Sequence, residues 1–182
     1  MPGNWGYLKH DIFSYLTENY GKDCTVLDVG CGGGFYWELL HEHFNKMDAV
    51  EIWEPYIEWQ DLRSKYDNVF NIDILNFDFD YYDIIIMGDV LEHISRKEAQ
   101  PLMHKLKDKC KELLVVIPYE LPQEEAAHDN PYEIHLQPDI NDEIVAKYYP
   151  MLQLLRKIPV EEKGVTNDYC VFIKKTGRIN DE

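Results

Sequence analysis

The feature that most narrows the folds open to this chain is a strand that breaks into glycine. Thr25–Val29 is an apolar run with one acid, Asp28, inside it, and the next residues are Gly30-Cys31-Gly32-Gly33-Gly34. An amphipathic segment from Phe35 to about Phe44 follows at once and predicts a helix. Glycines at a strand-to-helix turn let backbone approach a ligand closely, and they leave the first N–H groups of the helix free to face it. A second apolar strand, Met47–Ile52, carries Glu51 near its end, about 20 residues beyond the turn. From that position an acid takes both hydroxyls of a ribose. Turn and acid together predict a site for a nucleoside-containing cofactor.

The chain continues the alternation. Leu8, Ile12, Phe13, Leu16 and Tyr20 recur near helical spacing within Trp5–Tyr20, and Gly21 closes this N-terminal helix. Pro55 opens a helix expected to reach about Lys65, and Val69–Ile72 reads as a short third strand. Tyr82–Met87, a continuous apolar run around one acid, suits a strand buried on both faces. Ser95 and Glu98 have capping-box spacing ahead of a helix to about Cys110, which Pro101 is expected to kink. Leu113–Ile117 is a fifth strand ended by Pro118. Asp139 is placed to cap a helix through about Tyr149, and Leu152–Ile158 and Tyr169–Ile173 read as the last strands. These elements predict an α/β fold: a doubly wound, mostly parallel, seven-stranded Rossmann-like sheet with helices on both faces. With no repeat or linker in view, residues 1–182 are expected to form one domain.

Composition removes several classes of function. A net charge of −16 disfavours nucleic acid and anionic membrane surfaces, both of which require a basic face. No apolar run reaches transmembrane length and no signal-peptide pattern opens the chain. The cysteines Cys24, Cys31, Cys110 and Cys170 have neither metal nor disulfide spacing. The expectation is a reduced, cytoplasmic protein.

Glycine spacing separates the possible cofactors. A dinucleotide fingerprint wants glycine at its first, third and sixth positions, and the sixth here is Phe35. The glycines run Gly30, Gly32, Gly34, with Asp28 two residues ahead. In this the chain resembles the class I S-adenosylmethionine-dependent methyltransferases, whose first motif has that acid-x-Gly-x-Gly-x-Gly form. The resemblance implies S-adenosyl-L-methionine as cofactor and S-adenosyl-L-homocysteine as product. It implies cofactor contacts at Asp28, Gly30, Cys31, Gly32 and Gly34, with Asp28 towards the amino group of the methionine part. It places Glu51 at the ribose, with Ile52 as a further cofactor contact, Asp73 at the adenine amino group, and Ile74 over the adenine face. Asp89-Val90-Leu91-Glu92-His93 resembles a run common among small-molecule members, with Gly88 and Asp89 beneath the sulfonium.

Substrate-side candidates are less sharply marked. His93 has an unperturbed pKa near neutrality and so could serve as a base, or else order its turn. The segment Tyr119–Pro138 has no periodicity, and an unstructured stretch of that length in a compact chain is often a functional lid. It holds His128 and His135, further candidates for proton transfer, with Tyr119, Glu120, Asp129, Tyr132 and Glu133. His128, Asp129, Glu133 and His135 match no strict ligand spacing, so no metal is assigned. The run Met87-Gly88-Asp89-Val90 lacks the Pro-Pro-aromatic signature of amino-group DNA methyltransferases, and no proline precedes a cysteine as in the cytosine-carbon enzymes. A small-molecule acceptor is therefore expected under Tyr119–Pro138, with Trp5 and Tyr7 as further pocket candidates. The sulfonium is already activated, so the protein mainly supplies alignment and water exclusion for an in-line displacement by O, N or S. Two alternatives stay open: a catalytically silent methyltransferase-like binding protein, and a nucleotide-dependent oxidoreductase. The acceptor and the oligomeric state are not legible.

Overall fold

The computed structural model describes residues 8–126, 129–162 and 164–175; Trp5, Tyr7 and His128 lie outside them. The sheet is built on β1 (Thr25–Val29), flanked in parallel by β2 (Lys46–Glu51) and β4 (Tyr82–Gly88). With β3 (Asn68–Asn71), β5 (Cys110–Pro118), β6 (Leu152–Glu162) and β7 (Val165–Lys174), the order is β3-β2-β1-β4-β5-β7-β6. The five strands from β3 to β5 run parallel, while β7 inserts antiparallel between β5 and β6. Strand order reverses between β1 and β4, the point at which open α/β sheets bind ligands.

Two apolar layers hold the helices, as the side-chain alternation of a strand requires. On one face, Val26 and Ile84 pack with Leu8, Ile12 and Leu16 at α1 (Lys9–Asn19), Tyr36 and Leu40 of α2 (Phe35–Leu40), and Ile57 and Leu62. On the other, Leu27, Val29 and Ile85 pack with Leu102, Met103 and Leu106 of α5 (Arg96–Lys107) and Val145 of α6 (Asp142–Tyr148). Among the described residues, no helix is long and apolar enough to cross a membrane.

Several elements differ from the sequence expectation, each for a local reason. The helix after the glycines stops at Leu40, although Phe44 still reaches the core. The helix opened by Pro55 divides into α3 (Glu54–Trp59) and α4 (Leu62–Lys65), because Asp61 takes a left-handed φ of 48°. Helix α5 runs unbroken through Pro101 to Lys107, and Cys110 already belongs to β5. Ser95 donates its hydroxyl to the Glu98 carboxylate rather than capping backbone. Asn141, not Asp139, caps α6 by accepting from Ile144 N–H, while Asp139 pairs with Arg96 at 2.5 Å.

Candidate active site

The carboxyl ends of β1 to β4 open on a cavity of about 330 Å³, within the usual size range for small-ligand sites. Val29, Gly30 and Gly32 line it from β1, and Val50, Glu51 and Ile52 from β2. Ile72, Asp73, Ile74 and Leu75 enclose it beyond β3, and Asp89, Val90, His93 and Ile94 beyond β4.

The turn after β1 is shaped by glycine in a way no other residue reproduces. Gly30 has a φ of +64°, and a Cβ there would run into the Val90 side chain on the neighbouring loop. Gly30 N–H donates to Val50 O at 2.8 Å, tying the turn to β2. Gly88 is equally constrained, since a Cβ would overlap the Tyr36 ring. These contacts draw the ends of β1, β2 and β4 together around the mouth of the cavity.

Glu51 is the best-positioned acid. It is 5% exposed, yet it lines the cavity. Its Oε2 accepts from Gly32 N–H at 2.9 Å and its Oε1 from Trp53 N–H at 2.8 Å. A carboxylate has about four lone-pair sites, so each oxygen retains acceptor capacity for a ligand hydroxyl. Burial pushes its pKa up, and the two backbone donors oppose that shift. Asp73 lines the cavity beside Ile74; its Oδ1 accepts from Leu75 N–H and caps a short 3₁₀ turn, Ile74–Asn76. Asp89 lines the cavity on backbone held at a φ of 52°, a conformation that stores strain in a non-glycine residue.

Other residues singled out in the sequence fall elsewhere. Asp28 does not border the cavity: it is fully buried, and its Oδ2 accepts from Tyr66 O–H at 2.5 Å. Burial raises its pKa to about 7 against the Tyr66 hydrogen bond, and the nearby Glu51 charge adds to the rise. Cys31, Gly34 and Gly88 likewise stand outside the cavity lining, the first buried among apolar side chains and the others at helix and strand ends. Tyr119 is a core residue, stacked on Phe172 and donating to Asp142.

The segment 119–138 closes the cavity through its second half. Asn130, Tyr132, Glu133 and Leu136 join the lining. Tyr56 of α3 donates to Glu133 at 3.1 Å, fastening the segment across the site. Gln137, buried, donates to Leu91 O and Ile94 O and accepts from Tyr149 O–H, so the end of the segment is locked to the loop beyond β4. Tyr56 and Asn130 had no signal in the sequence, because an isolated Tyr in a helix and an Asn before Pro131 are locally unremarkable.

His93 lines the cavity and His135 stands directly behind it, the rings edge-to-face at 4.7 Å. Burial, then the neighbouring His135, lowers the pKa of His93 to about 4; burial also lowers that of His135. Both rings are therefore neutral near pH 7. Glu92, 1% exposed, sits against the pair, its pKa pushed up by burial and by the charge of Asp89. Asp129 is exposed at a φ of 60°.

Comparison with known proteins agrees with this geometry. Residues 27–112 match the family described as a methyltransferase domain. A ubiquinone biosynthesis O-methyltransferase of Coxiella burnetii is 38% identical over 80 residues, covering 40% of this chain and 34% of that protein. The match thus spans about a third of the length of the curated relative. Among solved structures, an S-adenosylmethionine-dependent methyltransferase from Clostridium acetobutylicum superposes with a TM-score of 0.70 at 16% identity, covering 96% of this chain and 93% of the other. The 1,6-didemethyltoxoflavin-N1-methyltransferase of Burkholderia thailandensis, solved with bound 1,6-didemethyltoxoflavin and S-adenosylhomocysteine, gives 0.67 at 13% identity over 94% and 80% of the two chains. At these identities the structural likeness establishes the fold.

Proposed function

We propose that this chain is a class I S-adenosylmethionine-dependent methyltransferase and that it transfers a methyl group to an O, N or S atom of a small molecule. The observation that carries the reading is the Glu51 carboxylate: buried, held by two backbone donors, and lining the cavity at the reversal of strand order. In this proposal Glu51 accepts both ribose hydroxyls, a task suited to charge-assisted bonds. Asp73 reads the adenine amino group while Ile74 and Leu75 cover the ring. Gly30 and Gly32 let backbone pass close to the methionine part, with Asp89 beneath the sulfonium. Asp28 supports the turn from beneath, through Tyr66 and β1, rather than by touching the cofactor.

When bound, the cofactor supplies an electrophilic methyl group on a cationic sulfur. The protein's own share is alignment and exclusion of water, for which Tyr132, Glu133 and Leu136 close the acceptor side. No general base is assigned. A histidine whose pKa lies near 4 is poorly matched to removing a proton from a hydroxyl at neutral pH. The reading treats residues 1–182 as one unit, supported by two apolar layers that each draw residues from β1 to β7. A cytoplasmic setting is part of the same proposal and rests on the free, mostly buried cysteines.

Thermal unfolding with S-adenosylmethionine, S-adenosylhomocysteine and NADH in separate samples tests the proposal. At about a hundred times its dissociation constant a ligand adds about 2.7 kcal/mol, several degrees for a chain of this size. Shifts with both adenosyl ligands and none with NADH are expected. Absence of any adenosyl shift in the folded protein would overturn the reading. Label transfer from methyl-labelled cofactor to metabolite extracts then separates an enzyme from a silent binder.

A further inference from the structure

Glu92, His93 and His135 converge, each offering one potential ligand atom within 4.8 Å of the other two. The residues come from two loops, one beyond β4 and one in the segment 119–138 that folds over it. The contact is fixed by backbone: Leu136 N–H and Gln137 N–H both donate to Glu92 O, at 2.8 and 3.0 Å.

The hydrogen bonding of the cluster is incomplete in one direction only. Glu92 is 1% exposed and its Oε2 has no hydrogen-bond partner. Asp28 likewise leaves one buried oxygen, Oδ1, without a hydrogen-bond partner, whereas the buried acids Asp48 and Glu112 are satisfied on both oxygens. Asp48 accepts from Asn68 and Tyr82 on its two oxygens. Glu112 accepts from Tyr15 and Tyr20 on one oxygen and from Leu113 N–H and Lys174 N–H on the other. Burying a carboxylate oxygen without a donor or cation is costly, so an unmatched one points to a missing positive partner. Asp89 and Glu133 also act on Glu92, deepening the negative field.

The imidazoles beside Glu92 are each held through one ring nitrogen. His93 Nδ1 lies 3.2 Å from Ile134 O, and His135 Nδ1 lies 2.6 Å from Leu121 O. A carbonyl can only accept, so each Nδ1 carries the proton and leaves Nε2 with its lone pair. Metal-binding histidines are held in that tautomer by such outer hydrogen bonds.

We infer that Glu92, His93 and His135 form a binding site for a divalent transition-metal cation, two imidazoles and one carboxylate, at the wall of the cavity that His93 lines. Two imidazoles select the zinc, iron and cobalt type over magnesium or calcium, which prefer oxygen. Tetrahedral ligation at about 2.1 Å sets ligand separations near 3.4 Å, a closure that side-chain rotation supplies. Open coordination positions remain, since three protein ligands are fewer than such ions take. The site stands independently of the methyl-transfer reading.

The test uses the full chain, stripped with chelator and titrated with Co²⁺ by visible absorption and with Zn²⁺ by calorimetry. One cation per chain is expected, with ligand-field bands on Co²⁺ and no displacement by excess Mg²⁺. Glu92→Gln and His135→Ala, checked for folding by circular dichroism, should each weaken Zn²⁺ binding roughly tenfold or more. His104→Ala, exposed on α5, should leave it unchanged. If Glu92→Gln does not fold, His135→Asn reads the same quantity. Absence of stoichiometric binding, binding unaltered in both ligand variants, or equal competition by Mg²⁺ overturns the inference. A thermal shift with S-adenosylmethionine but no metal binding would remove the cation site alone; metal binding without that shift would remove the methyltransferase reading alone.

Discussion

A single carboxylate sets most of what the site is proposed to do. Glu51 organises empty backbone by taking N–H bonds from both the glycine turn and the residue after β2, and in the functional reading it also holds the cofactor's sugar. Its truncation should therefore separate two effects. Glu51→Ala is expected to weaken S-adenosylmethionine binding by about 1.5–3 kcal/mol, the usual size for hydrogen bonds to a charged group. Calorimetry reads this as a roughly ten- to hundredfold rise in Kd. Glu51→Gln, which keeps one acceptor oxygen, should fall between the two. Unchanged affinity in the alanine variant would move the ribose role to another residue. The place of this acid at the end of β2 was legible in the sequence, because it depends only on where the strand after the glycine turn stops. Asp28 was legible only as an acid in a motif; that it bonds Tyr66 and is absent from the cavity lining follows from strand alternation meeting a residue distant in sequence.

At the scale of elements, boundaries were decided by caps and backbone conformations rather than by periodicity. The break between α3 and α4 depends on one left-handed residue, Asp61, which no apolar pattern announces. The start of α6 is a choice between two acceptors near each other in sequence, Asp139 and Asn141. Asn141 reaches the first-turn N–H of Ile144, whereas Asp139 is drawn away by Arg96. Asn141→Ala should cost about 1 kcal/mol, lowering Tm by roughly 2–4 °C. Asp139→Ala removes only a half-exposed ion pair and should change Tm by less. Differential scanning calorimetry of the two variants distinguishes them; a larger drop for Asp139 would return the cap to that residue.

At the scale of the molecule, titration and topology both follow from placing acids inside a sheet. The Asp28 carboxyl, raised to about 7, binds its proton more tightly folded than unfolded. Its contribution to stability is therefore unimpaired at low pH and is lost as pH climbs from about 4 to 7, where the unfolded chain ionises freely and the folded one does not. Asp28→Asn, close in shape and never charged, should remove that slope. Urea unfolding at pH 5 and pH 7.5 is expected to show the variant gaining on the parent at the higher pH, a difference that cancels the other titrating groups. An equal offset at both values would mean Asp28 ionises normally in the fold. By itself the sequence determined the α/β class, the mostly parallel sheet, the glycine turn and the acids that end β2 and follow β3. Each of these is a local consequence of side-chain periodicity and turn chemistry. Only tertiary structure decided that β7 inserts antiparallel between β5 and β6, that Tyr56 fastens the segment 119–138, and that Glu92, His93 and His135 meet. These depend on which distant surfaces bury each other, and burial is a property of the packed chain that no short window of residues contains.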